Sequence, residues 1–259
     1  RVSTRIFSRR STAGLRPMQS RYLVYLDRHH LGDELFLKSL AQHFSNAGTD
    51  APTCVLVHGS GEKVERTLEA QGYFPERSGG VIDVETEDQR RLVERAVREV
   101  NQDIVAALTD EVVSTVGIQG VDRGLFRLGD DASLQAANVG WLSALLKQHV
   151  VPVVSALVEA SDTGTVHEVG TEAAVRALAR ALGEAFEPEI CVLTTADVAG
   201  VPDETGGVQS EIESTALGDH PVPEPAAVRR LVETEVSVRV TNLQGLFSGS
   251  APTGTRVRP

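Results

Sequence analysis

The segment Cys54-Val55-Leu56-Val57-His58-Gly59-Ser60-Gly61 constrains the fold more than any other stretch of the chain. Cys54 to Val57 are continuously apolar and read as a short strand buried on both faces, the kind found in parallel sheets. Two glycines separated by Ser60 follow at once. Glu62 to Gln71 then reads as a helix, with Val64 and Leu68 on one face and Gly72 as its stop. A strand that passes through Gly-x-Gly straight into a helix leaves backbone N–H groups aimed at one point. Gly59, Ser60 and Gly61 are therefore a candidate phosphate cradle, because glycine lets an anion approach the backbone closely. The same turn is also an ordinary way for an α/β chain to leave a strand, and the motif alone does not choose between the two.

The rest of the chain repeats this alternation. Strands are expected at Tyr22–Leu26, Val112–Val116 (closed by Gly117), Val150–Val154, Ile190–Leu193 and Val236–Val240. Helices are expected at Asp33–Phe44, Thr86–Leu108, Leu134–Gln148, Thr171–Leu182 and Pro225–Glu233. In the longest, Leu92, Val93, Ala96, Val97, Val100, Ile104 and Leu108 share one face. Turns fall at Arg77–Gly80, Gly120–Gly124, Ser161–Gly164 and Asp203–Gly207. Apolar strands alternating with helices predict an α/β fold with a central, mostly parallel sheet covered on both faces. Ligands in such sheets bind at the carboxyl ends of the strands, where the 59–61 turn and the loops after Gly117 and Leu193 would lie.

Composition narrows the function. A net charge of -11 excludes a general nucleic-acid binder. The longest apolar run, Val150 to Val158, is too short to span a bilayer. Cys54 and Cys191 each sit in an apolar strand-like run and read as buried thiols of a reducing compartment, the cytoplasm, with no metal site implied. Of 25 basic residues, only Lys38, Lys63 and Lys147 are lysine. Residues 1–21 carry Arg1, Arg5, Arg9, Arg10, Arg16 and Arg21 with no acid, and are set apart from the fold. They read either as an organelle transit peptide or as sequence upstream of a start at Met18.

Six segments in order resemble the amino-acid kinase family, and within it the acetylglutamate kinases. They are Val57–Gly61, Val100–Val105, Gly117–Asp122, Val151–Val154, Leu193–Val201 and Gly254–Arg256. The resemblance implies a three-layer α/β/α sandwich. An N-terminal lobe, 22–166, would hold a small acyl amino acid, and a C-terminal lobe, 167–259, would hold ATP with Mg2+. The implied reaction is phosphorylation of the side-chain carboxylate of an N-acylglutamate in arginine synthesis, by a homodimer or larger homo-oligomer. Asp197 and Gly200 would lie by the nucleotide, Glu172 would be the organising carboxylate, and Gly59, Ser60 and Gly61 would meet the phosphates.

The departures fall at the chemistry. The family's first strand ends in Lys-x-Gly-Gly, where this chain has Tyr25-Leu26-Asp27-Arg28, leaving Arg28 as the expected local cation. Ser60 replaces the middle glycine of the second loop. Val81-Ile82-Asp83 stands where a substrate-binding arginine is expected. Glu168-Val169-Gly170-Thr171-Glu172 replaces Asn-x-Asn-Ala-Asp, and Pro223 to Arg230 holds no second lysine, though Arg229 or Arg230 could stand in. Arg is forked and longer than Lys, so it does not replace it in place. Phosphoryl transfer depends on neutralising charge on the transferring oxygens, so turnover is expected to be far weaker than in the family. A catalytically degenerate homologue acting as a binding or regulatory subunit is the alternative to a kinase. Two or more Arg or Lys heads beside Gly59 and Gly61 would favour the kinase. Simpler roles stand beside these: Glu172 as an ordinary first-turn acid, Asp197 as a turn cap, His58 as a packing residue, and Asn101 as a brace between the long helix and a loop.

Overall fold

The computed structural model describes residues 20–259 apart from Gly79, Asp130, Ala132 and Ser250. In chain order its elements are β1 (Ser20–Leu26), α1 (Arg28–Leu31), α2 (Glu34–Ala47), β2 (Cys54–His58), α3 (Glu62–Ala70), β3 (Arg77–Ser78), β4 (Val81–Ile82), α4 (Glu87–Asp110), β5 (Thr115–Ile118), β6 (Phe126–Leu128), β7 (Leu134–Ala136), α5 (Gly140–Lys147), β8 (Val151–Ser155), β9 (Leu157–Glu159), β10 (Val166–Glu168), α6 (Thr171–Leu182), β11 (Glu187–Leu193), β12 (Glu211–Glu213), α7 (Pro225–Val232), β13 (Ser237–Thr241), α8 (Leu243–Leu246) and β14 (Thr255–Arg258).

One eight-stranded sheet, in the order β12-β14-β13-β11-β1-β2-β8-β5, carries the fold. From β13 to β5 every neighbouring pair is parallel, while β14 runs antiparallel to β13 and is joined in parallel by β12. Side chains alternate across β1, and the two faces bury different helices. Tyr22, Val24 and Leu26 pack with Leu40, Phe44, Ile104 and Leu108 of α2 and α4. Leu23 and Tyr25 pack with Leu142, Leu146, Val175, Leu178 and Leu231 of α5, α6 and α7. The result is the three-layer α/β/α sandwich, and β2 lies inside it between β1 and β8.

Local signals account for most boundaries. Asp33 caps α2 by accepting from the Leu35 N–H, Thr86 and Gln89 form a reciprocal capping box on α4, and Pro225 opens α7. Both cysteines are free and buried, and burial pushes the Cys54 thiol up to about 12.

Three expectations are corrected. Leu134 does not start a helix: Leu134–Ala136 is a strand paired with Phe126–Leu128, and α5 begins only at Gly140, after Asn138 turns the chain at φ 55°. The strand expected from Val112 starts at Thr115 instead, because Val112 takes a left-handed turn (φ 61°) with its side chain in water. The strand also runs through Gly117, where an added Cβ would lie 2.4 Å from Asn101 Oδ1. Residues 20–21 belong to the fold, since Ser20 and Arg21 pair with Glu187 and Pro188 and the Arg21 guanidinium lies 4.9 Å from the Phe186 ring centre. The reading of residues 1–19 lies outside the described residues.

Candidate functional site

A cleft of about 530 Å³ opens at the carboxyl edge of the sheet, where β1 and β2 end and α3, α6 and α7 begin. Its lining includes Tyr25, Arg28, Gly59, Ser60, Glu65, Arg77, Glu172, Glu224 and Arg230. Three helix starts facing one space favour negative charge there. Glutamates of this chain already supply it: Glu65 in the first turn of α3, Glu172 in that of α6, and Glu224 at the N-cap of α7.

The glycine turn sits where the strand–turn–helix pattern places it, but the amide of its middle residue is occupied. The Ser60 N–H donates to Glu168 Oε1, and the Ser60 hydroxyl donates to Glu168 Oε2 at 2.9 Å. Arg77 in turn donates to that hydroxyl at 3.1 Å. Glu168 is buried, and burial raises its carboxyl above the usual range against the lowering effect of the Ser60 bonds. A Cβ on Gly59 would lie 2.5 Å from Thr171 Oγ1 and 2.7 Å from Glu168 Oε1, so glycine here makes room for the chain's own side chains.

Arg28 is not the only cation at hand. Arg28, Arg77 and Arg230 all line the cleft, which corrects the expectation of a single local cation. Each is engaged by a carboxylate. Arg28 lies 3.1 Å from Glu224 Oε1 and 3.4 Å from Glu65 Oε1. Arg77 pairs with Glu65 and also donates to the Gly80 carbonyl at 2.6 Å. Arg230 Nε donates to Glu172 Oε1 at 2.8 Å. The Tyr25 hydroxyl donates to Glu224, and burial first, then Glu224, holds the Tyr25 phenol well above its ordinary range. Arg77 stands directly opposite Ile82 in the β3–β4 pair, so a guanidinium enters the cleft from the strand facing the one where arginine was expected.

The other singled-out residues lie elsewhere. Asp197 is exposed after β11, its carbonyl accepting from Asn242 at 3.1 Å. Gly200 has φ 142°, and a Cβ there would lie 2.7 Å from Thr255 Oγ1. Neither lines the cleft. Arg229 donates to the carbonyls of Ser214 and Thr215 and turns away from the cleft. His58 is buried between the Gly59 carbonyl and Asn101, and Asn101 ties α4 to β2 and β8 rather than to a loop. His30 Nδ1 lies 2.7 Å from Asp27 Oδ2. Among the described residues, no group of three or more His, Cys, Asp or Glu side chains is placed to hold a metal ion. Glu65, Glu168, Arg77 and Glu224 had no assigned role in the sequence. Only Glu168 carried a signal, as the residue in place of an asparagine.

The sequence profile of the amino acid kinase family matches residues 26–218. The acetylglutamate kinase of Methanopyrus kandleri is 30% identical over 231 residues, covering 79% of this chain and 90% of that protein. The acetylglutamate kinase of Acidobacterium capsulatum is 29% identical over 199 residues, covering 73% of this chain and 74% of that protein. Among solved structures, N-acetylglutamate synthase from Neisseria gonorrhoeae, complexed with coenzyme A and N-acetyl-glutamate, aligns with a TM-score of 0.65 at 20% identity. That alignment covers 93% of this chain and 59% of that one. An isopentenyl phosphate kinase aligns with a TM-score of 0.58 at 18% identity, covering 92% of this chain and 99% of that one.

Proposed function

From the premise that the chain belongs to the amino acid kinase family, we propose that it is an acetylglutamate kinase-type protein that binds a small acyl amino acid and has lost most or all phosphoryl transfer to it. The observation that carries this reading is the internal pairing of the cleft: Arg28, Arg77 and Arg230 are each held by Glu65, Glu172 or Glu224. Transfer of a phosphoryl group to a carboxylate spreads negative charge over the transferring oxygens, and free cations must meet it. A guanidinium already neutralised must first leave its partner. Losing one charge-stabilising donor lowers a rate by ~10²–10³, and here two lysines are replaced and the arginines are engaged.

The cofactor the family implies, ATP with Mg2+, is a poor fit to these residues. The Ser60 amide in the middle of the glycine turn is taken by Glu168, and Arg28, Arg77 and Arg230, which line the cleft, are each paired with a carboxylate. In this reading the acyl amino acid lies in the cleft, and the protein is a cytoplasmic homodimer or larger homo-oligomer. A shared fold does not decide the activity, since proteins named as kinase and as synthase share it.

One observation favours the second reading, an active N-acylglutamate kinase. Three guanidiniums face a single cleft, which exceeds the two cations a kinase needs. An ADP-release assay with N-acetylglutamate and N-succinylglutamate, run with magnesium and saturating ATP beside calorimetric binding, separates the two. Binding of the acyl amino acid without turnover supports the proposal. Robust ADP release that depends on the acylglutamate overturns it in favour of the kinase.

A further inference from the structure

We propose that Glu168 closes the glycine turn to phosphate: its carboxylate holds the place on Ser60 that a phosphate oxygen would take, so removing it opens a phosphate site. Both carboxylate oxygens are used, one by the Ser60 N–H and one by the Ser60 hydroxyl. These are the charge-assisted bonds from which anion sites at helix starts are made. The third partner is also in place, since Arg77 donates to the same hydroxyl. The turn is thus a complete anion site whose occupant belongs to the chain.

The occupant is fixed. Glu168 ends β10, paired with Leu157 of β9, and the next residue donates from Val169 N to the Ala156 carbonyl at 2.9 Å. The side chain is buried, and the missing side chain of Gly59 is what admits it, an added Cβ lying 2.7 Å from Glu168 Oε1. Phosphate cannot share this position with a carboxylate, because two anions in contact repel and compete for the same donors. The inference rests on the functional reading only in taking this cleft as the ligand site. It assigns phosphate exclusion to one residue rather than to the loss of lysines.

The test uses the full chain and inorganic phosphate, followed by calorimetry and by the NMR signal of the Ser60 amide proton. In the native protein that proton should not move as phosphate is added. In Glu168→Ala it should move and saturate, with phosphate bound at least about tenfold more tightly than by the native chain. Glu168→Gln keeps the shape and removes the charge, and guards against a variant that fails to fold; a gain of about threefold is expected there. A native Ser60 amide that shifts with phosphate overturns the proposal, and so do folded variants with no gain. Substrate-dependent ADP release from a native chain whose Ser60 amide ignores phosphate would sink the functional reading and leave Glu168 in its role.

Discussion

His58 shows how burial alone sets a side chain's chemistry. Its Nε2 accepts from Asn101 at 2.9 Å, so the ring hydrogen sits on Nδ1 and is donated to the Gly59 carbonyl at 3.0 Å. The ring is neutral and fully satisfied, and burial lowers its pKa to about 4. In the unfolded chain a histidine titrates near ~6.5. Above that pH both states are neutral and the full stability is present. As pH falls from there toward about 4, the unfolded chain takes a proton that the fold refuses, and stability is lost, on the order of 3 kcal/mol in all. Urea midpoints should fall across this window in the native chain and fall less steeply in His58→Gln; equal slopes would remove His58 from the account. Gly59, beside it, makes a steric prediction. Gly59→Ala puts a methyl 2.5 Å from Thr171 Oγ1 and 2.7 Å from Glu168 Oε1, a clash of about 1–3 kcal/mol. Thr171→Ala removes one of these contacts, so the double variant should lose less than the sum of the singles in a denaturation cycle.

At the scale of elements, starts were legible and interactions across the chain were not. Asp33, Thr86 and Pro225 announce α2, α4 and α7 because caps and first-turn prolines act within a few residues. Thr86→Ala should cost about 1 kcal/mol, read as a lower urea midpoint at unchanged slope; no shift would mean that the capping box contributes nothing to α4. The β6–β7 hairpin escaped because the apolar positions from Leu134 on suit a helix as well as a strand. Pairing with Phe126 and Leu128 decides the matter, and that is a tertiary fact. The candidate site divides in the same way. Gly59 and Ser60 could be read from one local motif, and Arg28 and Glu172 from residue-by-residue resemblance, while Gly61 of the same motif lies against Leu31 and does not line the cleft. Glu168 on Ser60, Arg77 beside Glu65, and Glu224 on Tyr25 are meetings of distant segments, which no window of sequence contains. Arg77 reaches the cleft only because a short antiparallel pair sets it opposite Ile82.

For the whole molecule, one continuous sheet places the cleft at the shared edge of β1 and β2, with β11 on the other side of β1. A ligand held there stabilises the entire fold, by about 2.7 kcal/mol at a hundredfold excess over its Kd. N-acetylglutamate should therefore raise the melting temperature by roughly 5–10 °C under those conditions, and Mg–ATP alone should leave it unchanged. The reverse pattern in a thermal scan would contradict the proposed function. The central position of β1 has a further consequence during synthesis. The strand finds β2 soon after it emerges, but its other edge, from Ser20 to Tyr25, waits for Glu187 to Val192. At ribosomal speed that wait is on the order of ten seconds, during which a row of bare N–H and C=O groups faces water or a chaperone. A chain cut after Glu168 would make the wait permanent, and light scattering should find it self-associating at concentrations where the full chain stays clear.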